Sequence, residues 1–262
     1  AEANLAVPFA FWLPEDNSLL AGWFGPDAPG LHLARRRTDA EELEIIALPA
    51  ALRDHAPAKA IYAPDPVTDE SRLLLWTNDG LLALIAPDGR QLAAADVGGA
   101  GINGVALGPD GRTLIAYSGD GTAAIYAVDN LHMVVRLDAT NNFIAAALTG
   151  AVWLDTKTLL LADLSGLLHY VNLSDATLNP GETVDFADTP LAGYSGAERI
   201  AAAARVAGGR LLTAGYMEGG ISSLRLWQAE PVTAQATAAG EAFPPPDAPL
   251  CQRLHRALPL PA

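Results

Sequence analysis

Lysine is almost missing from this chain. Lys59 and Lys157 are the whole complement, and 16 Lys and Arg face 30 Asp and Glu, a formal charge of −14. Binding to a phosphate backbone rests on clustered cations that release counterions, so this balance argues against a nucleic-acid partner. The basic run Arg35-Arg36-Arg37 is followed by Asp39, Glu41, Glu42 and Glu44, the pattern of a solvated strand end rather than a binding patch. Cysteine is nearly as scarce. Cys251 stands alone, which excludes an internal disulfide and leaves the redox compartment unspecified. No apolar run approaches the ~18 residues that a membrane-spanning helix needs, although 50% of the chain is hydrophobic and a core is well supplied.

Catalytic signatures are missing as well. The sequence has no G-x-S-x-G nucleophile turn, no C-x-x-C-H haem attachment and no G-x-x-x-x-G-K-[ST] phosphate cradle. Tyr194-Ser195-Gly196 reads as an ordinary polar turn. His32, His55, His132, His169 and His255 show no metal-ligand spacing, so neither a metal nor a cofactor is expected. Gly98-Gly99-Ala100-Gly101 lies between two apolar segments and reads as a tight crossing.

What is present is a recurring unit. In Gly104 to Asn130, a short apolar run precedes Pro109-Asp110-Gly111, Leu114 to Tyr117 forms the next, and Asp120-Gly121 leads into Thr122 to Val128. Pro sets φ and Gly tolerates positive φ, so both turns join adjacent strands. Asp-Gly between β-formers is a strong hairpin signal. The second turn recurs with its last glycine at Gly30, Gly80, Gly121, Gly166 and Gly220, each between similar apolar flanks. A spacing of about 40 to 50 residues with several strands per unit marks a radial β array.

These residues resemble the WD-repeat and YVTN-type β-propellers. Gly108-Pro109-Asp110-Gly111-Arg112-Thr113-Leu114 is the nearest match, and Tyr126, Tyr170 and Trp227 fill the aromatic position of the third strand. No Trp-Asp dipeptide follows any of them. The resemblance implies an all-β propeller of about five four-stranded antiparallel blades, near residues 4–49, 50–98, 99–140, 141–190 and 191–239. Inner strands are expected at Phe143 to Leu148 and Ala197 to Val206, where alanine alone would suit a helix. Residues 241–262 form a proline-rich tail with a short amphipathic helix expected over Leu250 to Leu258. Either five blades close a ring, or another chain completes an open array.

The functional expectation is a non-catalytic protein-interaction scaffold, one subunit of a complex with one or more protein partners. The hairpin acids Asp27, Asp79, Asp120, Asp163 and Glu218 would form an acidic circle on one face, and Leu250, Arg253 and Leu254 belong to a tail that is either a docking arm or a segment packed back across the base of the ring. The start at Ala1-Glu2-Ala3 fits a mature exported chain and equally a trimmed one. YVTN-type relatives are often extracytoplasmic, so the resemblance implies a periplasmic location and association with a membrane protein, with the cytoplasm as the alternative. The competing reading is a five-bladed enzyme or carbohydrate binder using the central channel; a catalytic pair of carboxylates would more naturally come from inner strands, where Glu198 is the only one.

Overall fold

The computed structural model describes residues 6–25, 28–53, 58–98, 101–138, 147–164, 167–173, 182–185, 191–192, 199–206, 210–217, 220–229 and 254–258. Short apolar runs punctuated by Asp-Gly, Pro-Asp and Asn-containing turns leave little room for helix, and the described residues are overwhelmingly strand. The first sheet contains β1 (Ala6–Leu13), β2 (Ser18–Gly25), β3 (Ala28–Arg37) and β4 (Glu44–Ile46), after which α1 (Ala50–Arg53) makes a single turn. The second contains β5 (Ala58–Tyr62), β6 (Leu73–Thr77), β7 (Leu81–Ile85) and β8 (Gln91–Asp96). The third is built from β9 (Gly104–Leu107), β10 (Thr113–Tyr117), β11 (Ala123–Ala127) and β12 (Met133–Asp138).

Beyond these lie β13 (Leu148–Trp153), β14 (Thr158–Asp163), β15 (Leu167–Asn172), β16 (Glu182–Asp185) and β17 (Leu191–Ala192). The last group is β18 (Arg199–Val206), β19 (Arg210–Met217), β20 (Gly220–Ala229) and β21 (Leu254–Leu258). In every sheet, strands that follow one another along the chain lie side by side, the topology that short hairpins impose. Two strands depart from simple succession. β16 adds to the third sheet in parallel with β12, from Val135↔Glu182 to Asp138↔Asp185, and β17 then completes the fourth sheet beside β15.

The chain divides into two compact units, Ala1–Ala116 with Ala124–Val134, and Tyr117–Ala123 with Val135–Ala262. Within the first unit β6 and β7 of the second sheet are buried on both faces, while β8 at its edge is half-buried to exposed. Leu73 and Leu75 of β6 point into a core with Leu13, Leu20 and Leu33 of the first sheet, while Leu74 and Trp76 point into another with Leu114, Ala124 and Tyr126. This alternation explains why β6 reads as an unbroken apolar run although it is an antiparallel strand. Each fully buried leucine contributes about 1.5–3 kcal/mol of transfer free energy. The indole N–H of Trp76 is buried with no hydrogen-bond partner among the described residues, a polar defect in this packing. In the second unit Leu159, Leu160 and Leu161 of β14 are all buried.

Several expectations change. The first strand of the fourth sheet is Leu148–Trp153 rather than Phe143 to Leu148; residues 139–146 lie outside the described ones. Thr149, Val152 and Trp153 suit a pleated surface better than an alanine run does. Their register is set by the tight connection to β14, where Trp153 faces Leu159 and the Leu154 N–H donates to Thr158 O at 2.8 Å. Leu191–Ala192 belongs to the fourth sheet and not to the fifth, and β16 sits with the third. The alanine tract Ala201 to Ala204 is strand, as the repeat argued, inside β18. The helix expected in the tail is replaced over its described part by β21, which pairs antiparallel with β20. The edge of β20 offers a row of unmet N–H and C=O groups, whereas an isolated helix of two or three turns is marginal in water.

Candidate interaction site

The expected acidic face depends on where each hairpin puts its carboxylate. Counted back from Gly80, Gly121 and Gly166, Asp79 and Asp120 occupy the residue before the glycine, but Asp163 falls two places earlier, level with Thr77 and Ser118. That earlier position is buried: Thr77, Ser118 and Asp163 are 3%, 3% and 1% exposed. Each secures its own hairpin. The Leu81 N–H donates to Thr77 Oγ1 at 3.0 Å, Ser118 Oγ lies 3.1 Å from Thr122 Oγ1, and Asp163 Oδ2 lies 2.8 Å from Nε2 of the equally buried His169.

Asp163 is therefore removed from the acidic face. Its carboxylate is turned inward because a two-residue offset along β14 places it beside the His169 ring of β15. Asp79 and Asp120 remain exposed turn residues, each described in its own unit. Asp27 and Glu218 lie outside the described residues, as do Leu250 and Arg253 of the tail. Leu254 opens β21, and its backbone is in register with Ala229, so the arm expected there is a strand of the fifth sheet over its described part.

Asp120 also spends its acceptors locally. Ser118 Oγ donates to it, Thr122 Oγ1 donates at 2.6 Å and the Thr122 N–H at 3.0 Å, all to Oδ1. Burial pushes its pKa up, but the hydroxyls of Ser118 and Thr122 and the Thr122 amide outweigh that and hold it below the ordinary carboxylate value. Asp88, Asp110 and Asp155 make the same kind of turn, each accepting the N–H two residues on at 2.7–3.0 Å.

The opposite end of the second sheet is different. Because its strands alternate in direction, the β5–β6 and β7–β8 connections emerge together, away from the Asp79 turn. Beside the β1–β2 turn they enclose a cleft of 510 Å³ within the first unit. Its walls are Glu15 and Asp16 of that turn with Arg35 of β3, residues Thr68 to Arg72 of the long loop before β6, and Ala86 to Asp88 with Arg90 and Leu92 around the β7–β8 turn.

This cleft is held open by its arginines. The side chain of Arg72 is 9% exposed and meets Asp65 at 2.9 Å, while its Nε and Nη2 each donate at 3.3 Å, to the carbonyls of Ala63 and Pro64. Asp65 is itself pinned by the Val67 and Thr68 amides at 2.8 and 3.1 Å, and these two amides, ahead of Arg72, depress its pKa. Buried Ser71 is linked to the Tyr62 hydroxyl at 2.9 Å. Arg35 reaches Glu44 at 2.7 Å and Asp16 at 3.3 Å, and Arg37 pairs with Asp39 at 3.0 Å, so two of the three arginines in the basic run are paired with local acids.

Sequence reasoning did not assemble this cleft. The long loop Pro64 to Ser71 was visible as extra spacing and its acids as turn formers, but nothing local says that Glu15 and Asp88 share a wall. No group of three or more His, Cys, Asp or Glu among the described residues is placed to hold a metal ion.

Comparison with known proteins adds the fold. No family model matches the sequence, and no curated protein matches it. Among solved structures, a chain of the Chaetomium thermophilum polycomb repressive complex 2 superposes with a TM-score of 0.57 at 17% identity, over 88% of this chain and 54% of that one. Apo ctPRC2 in an autoinhibited state gives 0.59 at 18%, over 88% and 51%, and ctPRC2 in complex with H3K27me3 and H3K27M gives 0.59 at 17%, over 88% and 50%. The chain thus spans about half the length of the chains it matches. At such identities the likeness concerns the fold, and the all-β succession of four-stranded antiparallel sheets fits a WD-like β-propeller.

Proposed function

We propose that this protein is a non-catalytic protein-interaction scaffold, a five-bladed propeller serving as an accessory subunit of an exported or membrane-attached complex. The observation that carries the reading is the shared fold with chains of polycomb repressive complex 2, an assembly of several proteins by its name. A rigid set of sheets presenting loops suits that work, and of the described hairpin acids Asp120 is engaged in its own turn while Asp163 is buried against His169. Propellers host unrelated functions, so the complex itself is not transferred to this chain. The competing reading is a sugar-cleaving or sugar-binding ring; in the cleaving form a pair of carboxylates would most naturally come from first strands. The segments β1, β5, β9, β13 and β18 contain no Asp or Glu.

The test is purification of the full chain from its native host under mild conditions, followed by size-exclusion chromatography with mass measurement. The expected result is stoichiometric co-elution with a partner at a mass well above 27.2 kDa. Elution alone as a monomer would overturn the scaffold.

A further inference from the structure

We propose that the cleft between the first two sheets takes a lysine or arginine side chain of a protein partner, an inference that rests on the scaffold reading. The charge inventory of the walls carries it. Arg35 is paired with Glu44 and Asp16 and the nearly buried Arg72 with Asp65, whereas Arg90 stands 3.8 Å from Asp88 with both side chains largely exposed. Two of the three cations are therefore committed, which disfavours an anionic ligand. Glu15, Asp69 and Glu70 line the same cleft, and none of their carboxylates makes an ion pair among the described residues.

The acids are too dispersed to ligate a metal, since no described cluster of three donors meets that requirement. A longer organic cation fits the spread. The remaining wall, Ala86, Pro87 and Leu92, is apolar, and Leu92 is 37% exposed. A lysine or arginine presents both chemistries, an aliphatic stem to lie along Pro87 and Leu92 and a charged head to reach the carboxylates. The cleft is preformed, because the nearly buried Arg72 guanidinium ties the loop before β6 to its own carbonyls, so little ordering opposes binding. The overall charge of −14 would steer such a partner toward the protein.

The experiment uses the full chain and a fluorescein-labelled hexapeptide of alternating lysine and leucine, read by fluorescence anisotropy at low salt. The triple variant Glu15→Gln, Asp69→Asn, Glu70→Gln is expected to bind about tenfold more weakly, the sum of three exposed charge contacts. A control, Glu41→Gln, Glu42→Gln, Asp129→Asn, removes the same charge elsewhere on the surface and is expected to stay within about twofold of the parent. Should the triple variant fail to fold by circular dichroism, Glu15→Gln alone keeps the test readable, with about threefold loss expected and none overturning the proposal.

The idea also fails if the parent shows no saturable binding, if both triple variants weaken equally, or if a glutamate-leucine peptide binds as well. Each of these leaves co-elution with a native partner untouched, so failure of the cleft and failure of the scaffold are separable.

Discussion

At the residue scale, aspartate explains itself once its neighbours are known. Asp88, Asp110, Asp120 and Asp155 each accept a backbone N–H from two residues on, and this much was legible in the Asp-Gly and Pro-Asp spacing. Asp163 was not, because its role depends on His169 across the strand and not on the turn beside it. The Asp120 carboxylate makes a testable contribution. Its folded pKa is depressed below the ordinary 3.8, so its stabilisation is complete above that value and is lost as pH falls through the folded value. Urea unfolding from pH 7 to 3 is expected to show parent more stable than Asp120→Asn at neutral pH, with the margin shrinking below about pH 4. A constant margin would show that the carboxylate is not stabilised by its turn.

At the element scale, strands were easier to read than the places where they cross. Most second and third strands coincide with apolar runs flanking a turn glycine. The linker Gly98 to Gly101 read as a tight crossing from its glycines, and the structure separates its members. Gly101 has φ +81°, and a Cβ there would stand 1.6 Å from the Asn78 carbonyl oxygen, in the hairpin turn of the preceding sheet. Gly98 has φ +68° with nothing within 4 Å of an added Cβ. Gly101→Ala is therefore expected to cost about 2–4 kcal/mol, as a backbone clash on top of left-handed strain. Gly98→Ala is expected to cost about 1 kcal/mol from strain alone. Chemical denaturation of both variants checks the ordering, and equal losses would contradict it.

At the scale of the whole molecule, the chain reuses late segments to finish sheets begun earlier. β16 returns to the third sheet, β17 finishes the fourth and β21 finishes the fifth after a separation of 24 residues from Ala229 to Leu254. Truncation after residue 240 should then act on stability instead of deleting a free arm. Without β21 the ten-residue β20 loses its outer pairing partner, and an exposed edge invites association with a second copy. The expected outcome is a lower melting temperature together with concentration-dependent oligomers in light scattering. A truncated chain that stays monomeric and melts unchanged would show that the outer strand adds nothing.

Period and turn chemistry alone determined that this is an all-β repeat, because hydrophobic alternation and Asp-Gly hairpins act over a few residues and need no distant partner. The strand nature of Ala201 to Ala204, against its helical propensity, followed from that same period. Tertiary structure alone decided which late strand closes which sheet, that Asp163 turns inward, and that Glu15, Asp69 and Glu70 line one cleft. Those outcomes depend on long-range backbone pairing and on the packing of one sheet against the next, neither of which leaves a mark in local sequence.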